Sequence, residues 1–141
     1  MWGEIVIENS VIFLPCINIE ETTEFYCNVI GLTKVQEQSG GICRIFDTGY
    51  GYIGFCQYDD GRPIPAGQTG VCISLNCHDE EAVDAVYKQM LDKGCKIDKP
   101  PMKQEKFPVY AFFMRDPNNY KVEFQRILLE DQQLMGGRKT D

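Results

Sequence analysis

The chain has 141 residues, enough for one compact domain with a single core. Hydrophobic residues at 43% and charged residues at 25% are ordinary globular values, and no apolar run approaches the roughly 20 residues of a membrane-spanning helix. A net charge of −7 withholds the basic footprint that binding to nucleic acid requires.

The first residues, Met1-Trp2-Gly3-Glu4-Ile5, lack the basic start and long apolar stretch of a secretory signal, so a cytoplasmic location is expected. The seven cysteines are odd in number and several lie inside apolar patterns, as Cys16 does in Phe-Leu-Pro-Cys-Ile. They are expected to be reduced thiols, and without a CxxC pair they predict no zinc knuckle.

The first predicted strand, Val11 to Cys16, leads into a helix capped by Asn18, with Phe25, Val29 and Leu32 marking its buried side and Gly31 ending it. Arg44 follows on the strand Ile42-Cys43-Arg44-Ile45-Phe46, where its apolar neighbours predict a guanidinium facing a cleft or solvent. A turn after Asp47 leads to a strand carrying Tyr50, Tyr52, Gly54 and Phe55. The turn-rich stretch from Asp59 to Gln68 reads as a linker.

Beyond it, Val71, Ile73, Leu75 and Cys77 alternate with smaller or more polar residues, the period of a half-buried strand. A helix capped by Asp79 follows, its apolar stripe being Val83, Val86, Tyr87, Met90 and Leu91, with Gly94 at its end. A turn after Asp116 joins the last two strands, and the tail from Leu128 is expected to begin as a short helix.

These elements repeat. An offset of 61 sets Ile12 on Ile73, Leu14 on Leu75, Cys16 on Cys77 and Tyr26 on Tyr87. An offset of 69 sets Asp47 on Asp116 and Phe55 on Phe124. Each half therefore reads strand, helix, three strands: module one over residues 11–58, a linker over 59–69, module two over 70–127 and a tail over 128–141, all in one domain spanning 1–141.

The helix end Glu24-Phe25-Tyr26-Cys27-Asn28-Val29-Ile30-Gly31-Leu32 and the hairpin Arg115-Asp116-Pro117-Asn118-Asn119-Tyr120-Lys121-Val122-Glu123-Phe124 resemble motifs of the vicinal-oxygen-chelate superfamily. That superfamily groups glyoxalase I, bleomycin-resistance proteins and extradiol dioxygenases. The resemblance implies an α+β fold of tandem βαβββ modules forming a half-open, cup-shaped mixed sheet with helices on the outside. It also implies four metal-ligand positions, which hold Val11, Gly54, Cys72 and Glu123 in this chain. Valine and glycine have no donor side chain, and one carboxylate with one thiol falls short of the three or more protein ligands usual for such metals. No metal or other cofactor is expected.

Glu123 is the sharpest candidate, as a general base, as an anchor for a ligand, or as half of an ion pair with Arg44 or Lys121. Strand alternation places Gln125 beside it on the concave face, together with Val11, Phe13, Tyr50, Tyr52, Gly54, Cys72, Ser74 and Asn76. Aromatic surface with a few polar groups is the make-up of a small-molecule pocket. Glu123 suits a cationic or hydrogen-bonding ligand and Arg44 an anionic one, so ligand charge stays open. His78 is expected at a strand-to-helix turn, and because adjacent strand residues face opposite sides, contiguity argues against a Cys77-His78-Asp79 triad.

The leading expectation is a metal-independent protein, similar to the bleomycin-resistance branch, that binds a small, partly aromatic or cationic molecule and forms a homodimer. The alternative is a glyoxalase- or isomerase-type enzyme with Glu123 as general base, with or without an atypical metal site. A third possibility is a partner-binding subunit.

Overall fold

The structure, a computed structural model, describes residues 6–128. The predicted tail helix falls almost wholly outside them.

Module one runs β1 (Val11–Pro15), α1 (Ile19–Glu24), β2 (Thr33–Gln38), β3 (Cys43–Asp47) and β4 (Tyr52–Cys56). Module two runs β5 (Cys72–Asn76), α2 (Glu80–Asp92), β6 (Ile97–Lys103), β7 (Val109–Arg115) and β8 (Lys121–Ile127). The sheets have the same topology, β1-β4-β3-β2 and β5-β8-β7-β6. In each, the opening strand pairs in parallel with the last and the remaining pairs are antiparallel. A parallel pair needs a crossover, and the helix supplies it. The chain forms two compact units, Met1–Ile64 and Pro65–Asp141, divided inside the predicted linker. No helix among the described residues is long and apolar enough to cross a membrane.

Both helices start where expected: the Asn18 side chain accepts the Glu21 amide and that of Asp79 the Ala82 amide. The ends hold too, with Gly31 at φ 99° and Gly94 at φ 78°, in the left-handed region glycine enters without strain. The buried side of the first helix differs from expectation. After Glu24 the helix widens into a π-helical segment, Phe25–Ile30. The wider turn brings Tyr26 rather than Phe25 or Val29 fully into the core, its ring stacked 4.6 Å from that of Phe55. In α2, Val83 and Met90 are buried, but Leu91, at the margin of the predicted stripe, is 47% exposed.

Each core lies between the helix and one sheet face. In module two, Val122 and Phe124 of β8 and Phe112 and Met114 of β7 are buried there, with Tyr87 of α2 against the Phe112 ring at 5.4 Å. Burial of each such side chain contributes about 1.5–3 kcal/mol.

Two expectations about polar chemistry are corrected. Cys43 and Cys56 face each other across β3 and β4, Cα atoms 4.1 Å apart, and are joined by a disulfide. The neighbouring rung carries the Gln57 N–H to Ile42 carbonyl bond, so the cysteines occupy a non-hydrogen-bonded pair, where side chains come closest. Arg44 shares its strand face with Phe46, whose ring lies 6.1 Å from that of Tyr26 in the helical layer. It therefore points to α1 instead of to a cleft. There it donates to Glu20 at 2.5 Å, to Thr23 Oγ1 at 3.2 Å and to the Gly41 carbonyl at 3.0 Å.

Candidate functional site

Alternation along β8 sends Val122 and Phe124 into the core and Lys121, Glu123, Gln125 and Ile127 to the opposite face. Register extends that face rung by rung across β7, β8 and β5. Arg115, Lys121 and Cys72 form the first rung, and Phe113, Glu123 and Ser74 the second. Ala111, Gln125 and Asn76 form the third, and Val109 and Ile127 the last. Over this face lies a cleft of ≈ 700 Å³, edged by Asp98, Lys99, Gln104, Phe107 and Pro108.

Glu123 stands on its floor, only 9% exposed. One carboxylate oxygen accepts the Ser74 hydroxyl at 2.5 Å, and the Cys72 thiol approaches the same oxygen at 3.7 Å. Burial holds the Cys72 thiol above its ordinary pKa, with the Glu123 charge adding to that effect, so it stays protonated at neutral pH and is a poor nucleophile. Neither expected ion pair forms: Arg44 is engaged by Glu20, and the Lys121 ammonium lies 5.3 Å above the Phe113 ring. One rung on, the Gln125 amide donates to Asn76 at 2.9 Å. Ser74, Asn76, Gln125 and Glu123 are therefore brought together.

The module-one candidates lie in the other unit. Phe13 and Gly54 occupy the rung equivalent to Ser74 and Glu123. A β-carbon built on Gly54 would come within 2.5 Å of the Phe13 ring, which therefore fills the space a ligand side chain would need. Val11 pairs with Tyr52 on the adjacent rung. Tyr50 is corrected: it precedes β4, in the turn, and is 54% exposed. His78 lies at the strand-to-helix turn as expected, its side chain 86% exposed.

This donor set does not fit a metal of the family's usual kind. The module-one positions offer Val11 and Gly54, the latter capped by Phe13, and module two offers one thiol and one carboxylate already bonded to Ser74. Among the described residues no three His, Cys, Asp or Glu side chains converge where an ion could bind.

Sequence reasoning missed the β6–β7 side of the cleft, namely Lys99, Phe107, Val109, Phe113 and Arg115. The hairpin turn after Asp116 held the signal. Counting back from it in steps of two gives Phe113 and Arg115 the same face as Glu123.

Residues 10–124 match the family model described as Glyoxalase/Bleomycin resistance protein/Dioxygenase superfamily. No curated protein matches the sequence. Among solved structures, the chain is similar to a lactoylglutathione lyase from Agrobacterium tumefaciens at 20% identity and TM-score 0.66, covering 82% of this chain and 90% of that one. It is similar to a glyoxalase/bleomycin resistance protein/dioxygenase from Nocardioides at 15% identity and TM-score 0.70, covering 99% and 92%. A family enzyme from Burkholderia phytofirmans PsJN aligns at 20% identity and TM-score 0.67, covering 84% and 98%. At these identities the likeness establishes the fold alone.

Proposed function

The chain belongs to the glyoxalase/bleomycin resistance protein/dioxygenase superfamily, and on that premise we propose that it binds a small, partly apolar molecule in the module-two cleft without a metal. The observation that carries this reading is Glu123. A buried carboxylate needs hydrogen-bond partners, and Ser74 supplies a full-strength bond to only one of its two oxygens. The other oxygen is an acceptor for a ligand N–H or O–H, while Phe113, Val109 and Ile127 offer apolar surface to the ligand body. Ligand binding of the bleomycin-resistance kind needs no more than this.

The test combines metal analysis with one substitution. Protein purified without chelators should carry well under one equivalent of nickel, zinc, iron or manganese, and divalent ions should leave its melting temperature unchanged. Glu123→Gln should weaken binding of a neutral aryl amide, N-phenylacetylglycinamide, by about tenfold or more, since hydrogen bonds to charged groups contribute about 1.5–3 kcal/mol. Stoichiometric metal, or unchanged affinity in the variant, would overturn the reading. The same carboxylate beside an apolar ring also suits proton transfer next to a carbonyl, as in an isomerase. In that case Glu123→Gln abolishes turnover and leaves affinity nearly intact.

A further inference from the structure

We propose, resting on the cleft reading above, that the ligand is an anionic amphiphile of the N-acyl amino acid type: a carboxylate head, an amide or hydroxyl donor beside it, and an apolar tail. The rungs of the sheet supply the order. At one end of the cleft stand Lys121 and Arg115, directly paired; Lys99 of β6, opposite Phe113 on the Glu123 rung, lines the rim beside them. Arg115 is held by Asp98 at 3.0 Å and by the Asn119 carbonyl at 3.2 Å, so its charge is largely matched. Lys121 and Lys99 have no such carboxylate within 4.0 Å among the described residues. The Phe113 ring holds the Lys121 ammonium over the cleft floor.

One rung further, about 7 Å along the strands, Glu123 offers its acceptor. Beyond the Gln125–Asn76 pair the surface becomes apolar at Val109 and Ile127, with Phe107 and Pro108 on the rim. Cation, acceptor and apolar wall thus follow one another along a single axis. An anionic head at the Lys121 end meets opposite charge, whereas a cationic head there faces the Lys121 ammonium with that of Lys99 one rung on.

The probes are three compounds that differ only at the head: N-phenylacetylglycine (anionic), N-phenylacetylglycinamide (neutral) and N-(2-aminoethyl)phenylacetamide (cationic). Their affinities are measured by calorimetry or NMR titration on the intact chain. The carboxylate should bind about tenfold more tightly than the cation and more tightly than the amide. The paired change Lys99→Gln with Lys121→Gln should cut carboxylate affinity about tenfold and neutral amide affinity far less, so that the preference for the carboxylate is lost. Lys99 is exposed and Lys121 half-buried, so the variant should fold, as its melting temperature would report. Equal affinity for the three heads, preference for the cation, or a carboxylate affinity indifferent to the lysines would overturn the ligand class while leaving the cleft reading standing. Failure of all three to bind the unaltered chain would overturn both.

Discussion

A methyl group added at Gly54 would collide with the Phe13 ring at 2.5 Å, and because β4 lies between two strands the backbone has little room to move away. Gly54→Ala should therefore destabilise the protein by about 1–3 kcal/mol in denaturant melts. In a double-mutant cycle with Phe13→Ala the two effects should fall short of additivity by at least about 0.5 kcal/mol. Additive losses would show that the ring swings aside freely. The sequence exposed the rung, since the offset of 61 pairs Phe13 with Ser74. It did not reveal that an aromatic ring fills the gap. Arg44 was misplaced for a related reason: apolar neighbours on both sides do not say which sheet face the helix covers. Phe46, two residues on, shares the Arg44 side, and its burial against Tyr26 decides the matter.

Among the elements, the strands were the most legible: burial alternates along β5, and in β8 polar and apolar side chains alternate from Lys121 to Gln125. The helix caps were legible because Asn and Asp accept amide bonds in few other settings so regularly. The π-helical segment was not, since a widened turn leaves no mark in a short apolar pattern. Nor was the cystine, which depends on the register of the β3–β4 hairpin. Once Asp47 pairs with Tyr52, Cys43 must meet Cys56. Protein unfolded without reductant should accordingly present five reactive thiols, and seven after reduction. Seven from the outset would refute the cross-link. Reduction should lower stability by up to about 3 kcal/mol, the scale for a closed loop of this size.

For the chain as a whole, the internal repeat made the two-module architecture visible before any contact was known, because each module must build its own sheet and cover it with its own helix. The candidate site was half legible: Glu123, Ser74, Asn76 and Gln125 followed from alternation, but the β6–β7 wall needed strand pairing that is irregular, with register shifts between Ile97 and Met102. Between the units, residues 57–71 contain no helix or strand and are mostly exposed. Limited digestion with an Asp-directed protease should cut first at Asp59 or Asp60, ahead of any aspartate in α2 or β6, as peptide mass mapping would show. Earlier cleavage inside either module would mean that the module opens more readily than the segment joining them.

The ring of Phe13 over Gly54 also constrains the order in which substitutions can accumulate. A glutamate placed at position 54 alone would find its space taken, while a small residue at position 13 alone would open a gap with no donor beside it. Either single step loses packing and gains no chemistry. A variant library seeking to restore a carboxylate at this rung should recover the two changes together, so the pair forms an epistatic lock that single-site mutagenesis would not detect.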